Sequence, residues 1–315
     1  MTAARVREVT GTSFDWLQAE RDRFVLGEGA LDVPGVVNTT WKPLGELAQV
    51  CSTALHVVPP ADPLYAAAAD LLSFAWRQTE QGDLLLRLQR REPFATYPLE
   101  VYAAFASAGL RHDGFEELTA HLVRARGRRL VEQVPVRRLG VLLAERHCGR
   151  PPDGEVPGTV RRTWLGGLPE PWTFERFSGY ALTHVVFHLT DWGRGGPGVE
   201  PEVAAYLTLW LPAWLDTCLD AGMWDLSCEL LAVAASVPCL PAPAGLDAAW
   251  TALAAARHPS GALPEEPHLA AGAGEAADFL GHYHSTLMAA FAGVLTLDRL
   301  RGDAHVPQGP QGVHA

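Results

Sequence analysis

The stretch Tyr180-Ala-Leu-Thr-His184-Val-Val-Phe-His188-Leu-Thr-Asp191-Trp-Gly193 decides how the rest of the chain is read. His184, His188 and Asp191 stand at i, i+4 and i+7. At about 100° per residue, a helix gathers them into a stripe about 60° wide. The rest of the turn is apolar: Leu182, Val185, Val186, Phe187 and Leu189. A helix that is apolar nearly all round is buried. Polar groups buried with it must meet partners, water, a metal or a ligand. Gly193 and the run Gly195-Gly196-Pro197-Gly198 then stop the helix.

Helical patterning extends outward from this stretch in both directions. Leu44 to Val58 is apolar-periodic and closed by Pro59-Pro60. Asp62-Pro63 is a helix start, with Asp as N-cap and Pro in the first turn, and that helix runs to about Thr79. Further helices are expected over Asp83 to Arg91, Pro98 to Ala108, Asp113 to Arg126 (with Asp113 as cap) and Val134 to Arg146. Thr173 should open the helix that carries the stripe. Pro201 to Leu219, Trp224 to Val237, Asp247 to Arg257 and Ala273 to Leu300 follow. No β-strand pattern stands out, and short β-branched runs such as Val134-Pro-Val are broken by Pro.

The chain therefore reads as all-α, with about ten to twelve helices joined by short turns. Two arrangements fit: an α/α toroid, or a helical-repeat array of antiparallel helix pairs. The toroid is preferred, because inner helices around a cavity would accept a polar stripe. Residues 1–40 read as an N-terminal segment holding a short helix at Phe14 to Phe24. Residues 41–303 read as a single all-α domain with a possible subdivision near 150–172. Residues 304–315 read as a disordered tail, having nothing to bury.

Composition removes several function classes. The formal charge of −11 argues against a general nucleic-acid binder, which needs a basic surface. The basic residues are almost all Arg, and Lys42 is the only lysine. The one basic cluster, Arg124 to Arg138, reads as a solvated helix end and loop rather than an anion site. Five cysteines (Cys51, Cys148, Cys218, Cys228 and Cys239) form no CxxC pair, so a reduced cytoplasm is the simplest setting. No run of about 18 apolar residues appears, so no membrane span is expected.

Three groups of residues are candidates for chemistry. Histidines at i, i+4 are the common helical way to hold a divalent metal, and Asp191 would be a third ligand or would orient an imidazole. The plainer alternative is a buried His–Asp hydrogen bond. In Asp278-Phe-Leu-Gly-His282-Tyr-His284-Ser285, the two histidines diverge by about 160° on a helix, so both cannot reach one metal. His284 is favoured to meet the first stripe, with His282 second. In Trp224-Asp225-Leu-Ser-Cys228-Glu229, the residues Asp225, Cys228 and Glu229 share a face. There Cys228 reads first as a buried apolar residue and Asp225 as a group favouring the helix dipole. Trp192, Trp210, Trp214, Trp224 and Trp250 are either core residues or the wall of an aromatic pocket.

The run Leu182-Thr-His184-Val-Val-Phe187-His-Leu-Thr-Asp191-Trp-Gly193, followed by Tyr283-His284-Ser-Thr-Leu287, resembles an uncharacterised actinobacterial family associated with natural-product gene neighbourhoods. Trp224-Asp225-Leu226 with Glu229-Leu230 adds to the likeness. In that pattern an aromatic residue is usual at the position of His188, which shifts weight to His184, Asp191 and His284. A looser, architectural likeness is to toroidal cyclases and prenyl-transferring enzymes, in which Asp, Cys and His of inner helices bind zinc.

The expectation is a cytoplasmic enzyme of bacterial specialised metabolism acting on a small molecule or peptide, assisted by zinc or iron. His184, Asp191 and His284 are the expected catalytic residues. His184, His188, Asp191 and His284 are the expected ligands, with Asp225 and Cys228 in reserve. The alternative is a non-catalytic helical-repeat protein that binds a peptide or partner protein in a groove.

Overall fold

The computed structural model describes residues 2–31, 40–150, 155–196, 198–237, 246–266 and 278–305. Among these residues there are fourteen α-helices and no strand. They are α1 (Thr2–Ala19), α2 (Trp41–Val57), α3 (Pro63–Gln78), α4 (Asp83–Arg91), α5 (Tyr97–Ser107), α6 (Asp113–Leu122) and α7 (Arg126–Val131). Then come α8 (Pro135–His147), α9 (Glu155–Val160), α10 (Arg176–Leu189), α11 (Pro201–Asp220), α12 (Trp224–Ser236), α13 (Asp247–Ala256) and α14 (Tyr283–His305).

Local chemistry sets several helix starts. Asp62 caps α3 by accepting from the Leu64 amide at 3.1 Å, with Pro63 leading the helix. Its carboxylate also takes two bonds from Arg7, at 3.1 and 2.7 Å, which ties α1 to α3. Helix α6 is capped by His112 instead of Asp113: His112 Nδ1 accepts from the Phe115 amide at 3.0 Å. Asp113 lies in the first turn, where it still complements the dipole. Helix α10 starts at Arg176 and not at Thr173, because Glu175 and Ser178 form a reciprocal capping box.

The packing is organised by α14. Every residue from Ser285 to Leu297 is buried, and the helix packs against α1, α2 and α12. Gly293 permits the closest approach, since a Cβ there would lie 2.0 Å from Thr10 Oγ1 of α1. Helix α1 is therefore integral to the core, and the expected short helix at Phe14 to Phe24 is the end of this longer one plus a 3₁₀ turn at Arg21–Phe24. Helix α2 also contacts α3 and α5, α5 contacts α8, and α10 contacts α8 and α12. A central helix does what the expected ring axis would have done: it gives the surrounding helices one shared surface. The expected tail lies outside the described residues beyond the last turn of α14.

The helix carrying the two histidines ends earlier than its spacing suggests. Thr190 donates its hydroxyl to Val186 O at 2.8 Å and accepts from the Gly193 amide at 3.2 Å. Asp191 and Trp192 then take φ of 50° and 55°, in the left-handed region. Such conformations cost of order 1–3 kcal/mol each and persist only where contacts over-determine them. Asp191 supplies those contacts. It accepts from His147 Nε2 at 2.8 Å, Arg194 at 2.8 Å and Arg146 at 3.3 Å. The buried Arg194 guanidinium continues to Ser52 of α2 (2.6 Å) and Ser107 of α5 (2.7 Å). Burial alone would raise the Asp191 pKa, but the His147 and Arg194 bonds outweigh it and hold the carboxyl ionised.

Asp191→Ala strands Arg194 as a buried unpaired charge. Thermal and urea unfolding should show a loss of about 3–5 kcal/mol, the range for breaking one side of a buried pair. A loss under about 1 kcal/mol would mean that this network does not hold the turn.

Candidate metal and acid–base centre

Four helices converge on one buried group of ionisable side chains. Helix α12 contributes Asp225 and Glu229, one turn apart, α14 contributes His284, α2 contributes Glu46 and α10 contributes Tyr180, Thr183 and His184. His284 Nδ1 donates to Asp225 Oδ1 at 2.7 Å. Tyr180 donates its hydroxyl to Asp225 Oδ2, also at 2.7 Å. On the other ring edge, His284 Nε2 lies 3.5 Å from Glu46 Oε1. Glu46 Oε1 is in turn 3.7 Å from the ammonium of Lys42, the chain's only lysine. Glu229, 1% exposed, bonds to Thr183, and its Oε2 lies 3.8 Å from His184 Nδ1.

Asp225, Glu229 and His284 each offer a ligand atom, all within 4.8 Å of one another. Among the described residues this is the one such group of three or more. Two buried oxygens beside it have no hydrogen-bond partner, Glu229 Oε1 and Glu46 Oε2. Orphaned buried carboxylate oxygens are costly, and a cation would satisfy them.

Charge balance explains the proton positions. Three carboxylates are buried beside one imidazole and one ammonium. Burial alone would lower the His284 pKa, but Asp225 and Glu46 reverse this and raise it well above the usual histidine value. The same pairing overrides burial at Asp225 and Glu46 and holds both low. Glu229 is left over: burial first, then the Asp225 charge, push it up to about 8. Without metal it is a neutral acid near pH 7. Thr183 has one proton, and Tyr180 O, 3.0 Å from its hydroxyl, can take it. A protonated Glu229 can then donate to that hydroxyl.

A cavity of about 480 Å³ lies beside this group, within the size range of small-molecule sites. Lys42, Glu46, Gln49, Glu100, Arg137, His147, His184 and His188 supply its polar lining. Trp41, Tyr97, Val101, Val136, Leu143 and Trp192 supply much of the rest. The triad itself is one layer behind the wall, reached through Glu46 and His184. Gly140 leaves room for His188, whose ring atoms would meet a Cβ there at 3.0–3.1 Å.

The residues expected from the sequence are distributed as follows. His284 is at the centre. His184 stands at its edge, bonded through Nδ1 to Tyr180 O at 2.9 Å. His188 is on the cavity wall, its ring centroid 6.2 Å from that of His184. Burial lowers its pKa to about 3, so it is neutral, and its Nδ1 has no partner. Asp191 does not join the histidines of its own helix; the turn after Leu189 carries it to His147 and Arg194. The expected ligand foursome is therefore not one cluster: of the four, only His284 belongs to the group of three donors, whose other members are Asp225 and Glu229.

His282 precedes α14, is buried and bonds to Asp278 O at 2.7 Å, a local structural role. Cys228 is buried with its thiol pKa pushed up by burial and so behaves as an apolar residue. Cys239 lies outside the described residues. Within the arginine cluster, Arg128 bonds to Phe94 O and Ala95 O, and Arg138 forms a bidentate pair with Glu155.

Glu46, Tyr180 and His147 were not singled out by the sequence. The one available signal was a lone acidic residue within the apolar pattern of α2.

The raised Glu229 pKa predicts a pH dependence. The folded, metal-free protein holds a proton that the unfolded chain releases near the ordinary Glu value of about 4.3. Its contribution to stability is full below that value and is lost as pH rises through about 8. Glu229→Gln keeps the neutral form at every pH. In metal-free protein, the variant should gain in melting temperature on the wild type between pH 6 and 9. A constant difference across that range would show that Glu229 ionises normally.

Comparison with curated proteins and with solved structures finds no match. A family model described as Domain of unknown function (DUF6895) matches residues 10–294, a span that runs from within α1 to the middle of α14 and takes in every residue of the buried centre. The chain belongs to that family.

Proposed function

We propose that this chain is an enzyme in which Asp225, Glu229 and His284 hold a divalent metal, zinc or iron, behind a cavity that receives a small-molecule or peptide substrate. The observation that carries this reading is the meeting of those three donors within 4.8 Å, with Glu229 Oε1 unpartnered. A mixed carboxylate–imidazole donor set without thiolate suits zinc or iron. Such a metal supplies Lewis acidity or lowers the pKa of a bound water.

The side chains around it have separable tasks. Tyr180 fixes Asp225 through a 2.7 Å bond, the kind of outer contact that orients a ligand. Glu46 borders both His284 and the cavity, so it is the group placed to pass a proton between the buried centre and a substrate. His184 flanks Glu229 and presents a neutral imidazole, its pKa lowered chiefly by burial. Lys42 offsets the charge of Glu46 at the cavity wall. A groove-binding scaffold has no use for three buried carboxylates around one imidazole, which favours the enzyme reading over the binder. The assignment to bacterial specialised metabolism rests on the resemblance of the two histidine-bearing runs.

The test is elemental analysis of protein purified without chelators and with zinc and iron supplied. Near-stoichiometric metal is expected in the wild type and in His188→Ala. It should be lost in Asp225→Asn, Glu229→Gln and His284→Ala with helicity unchanged by circular dichroism. Affinity should rise with pH, because Glu229 and the protonated His284 must each release a proton to ligate. Metal-free wild type, or metal retained in all three ligand variants, overturns the metal reading and leaves Glu46–His284–Asp225 as an acid–base relay.

A further inference from the structure

The donors of the cavity wall are already engaged. Tyr97 gives its hydroxyl proton to Glu92 at 3.3 Å, and Trp41 gives its indole proton to Ala30 O at 2.7 Å. Arg137 donates to Glu100 Oε1 at 2.5 Å, with Glu132 beside it at 3.7 Å. Lys42 stands 3.7 Å from Glu46. Both cations are half exposed, whereas Glu46 and Glu100 are each 20% exposed. The two cations therefore reach outward, and the carboxylates lie deeper in the wall.

Acceptors of the same wall are left over. His184 Nδ1 lies 2.9 Å from Tyr180 O, and a carbonyl only accepts, so Nδ1 carries the proton. The neutral ring then presents Nε2 as a lone-pair acceptor, on a side chain that is 38% exposed. Glu100 uses Oε1 for Arg137, and among the described residues its Oε2 has no partner. Neither ring nitrogen of His188 has one. Gly140 of α8 draws the last two together. A Cβ there would meet His188 Nε2 at 3.1 Å and Glu100 Oε2 at 3.3 Å. With no side chain between them, the carboxylate of α5 and the imidazole of α10 flank the same bare backbone. His184 lies one turn back along α10, and all four residues line the cavity.

Water can serve such acceptors. A ligand that displaces the water must bring N–H or O–H groups of its own. A carboxylate would bring acceptors alone and would meet Glu46 and Glu100 as like charges. A protonated amine brings three N–H donors and a charge opposite to both carboxylates. Trp41, Tyr97 and Trp192 add aromatic rings, whose faces also attract a cation.

We infer that the substrate carries a protonated amine, recognised between Glu100 of α5 and the two histidines of α10. Glu46, on the side of the buried centre, is then free to act on the rest of the molecule. This rests on the cavity being the substrate site, and names the substrate class for it.

The experiment is isothermal titration calorimetry at pH 7 on chelator-treated protein with 2-phenylethylamine, 2-phenylethanol and 3-phenylpropanoate. The three share a skeleton suited to an aromatic wall and differ in head group. Wild type should bind the amine about tenfold more tightly than the alcohol, the step from a neutral to a charge-assisted hydrogen bond. It should bind the carboxylate less tightly than either. In Glu100→Gln the amine should fall to the affinity of the alcohol. The alcohol should bind that variant unchanged, which also reports an intact fold, since Arg137 keeps Glu132 and solvent. His188→Ala should weaken the amine more than the alcohol.

Three results overturn the inference: alcohol or carboxylate bound as tightly as the amine, an amine–alcohol gap that survives in Glu100→Gln, or no member bound at millimolar concentration. Chelation keeps the amine from ligating a metal, so the two readings are tested separately. Failure here leaves the elemental analysis standing, and a metal-free wild type leaves the amine preference standing.

Discussion

The pairing of His284 with Asp225 at 2.7 Å is the contact on which the rest of the centre depends. Helix α14 is buried on every side from Ser285 to Leu297, so an imidazole in its first turn is largely removed from water. It must be neutralised from the flanking helices. Helix α12 does so with Asp225, α2 with Glu46 and α10 through Tyr180, which steadies Asp225. A buried pair of this kind adds little net stability against an apolar replacement, because desolvation offsets the attraction. Glu229 is the fourth ionisable group beside this pair. Its pKa is pushed up to about 8 by burial first and then by the charge of Asp225.

A second polar network has the opposite character. Asp191, His147, Arg194, Ser52 and Ser107 satisfy one another with bonds of 2.6–2.8 Å and tie α2, α5, α8 and the turn after α10 together. It balances the backbone strain of two consecutive left-handed residues. Through that turn it also places Trp192 on the cavity wall beside His188. The two networks divide the labour: one fixes the cavity's shape, the other supplies groups able to exchange protons or take a cation. They lie along the same helix, α10, whose histidines line the space between them.

The cavity joins two kinds of surface that seldom meet without a reason. One part of its lining is charged and leads inward to carboxylates and an imidazole. Another part is aromatic and aliphatic, from Trp41, Tyr97, Val101, Val136, Leu143 and Trp192.

Local sequence determined the helices, because apolar periodicity and capping act within a few residues. Asp62-Pro63 marked the start of α3, and the near-continuous apolar runs of α10 and α14 marked both helices as buried. His184 and His284 were legible as polar residues on such helices; His284 stands at the centre and His184 at its edge. The composition of that centre was not legible, for two physical reasons. Helical spacing assigns a side chain to a face only while the helix lasts, and the turn at Thr190 removed Asp191 from the stripe. Which residues of distant helices share a site depends on how those helices cross, and no local pattern encodes that. Glu46 and His284 are separated by most of the chain and meet at 3.5 Å because α2 packs on α14. Tertiary packing alone made a cap-like aspartate, Asp225, the partner of a buried imidazole, and gave Glu229 a pKa that its sequence neighbours would never impose.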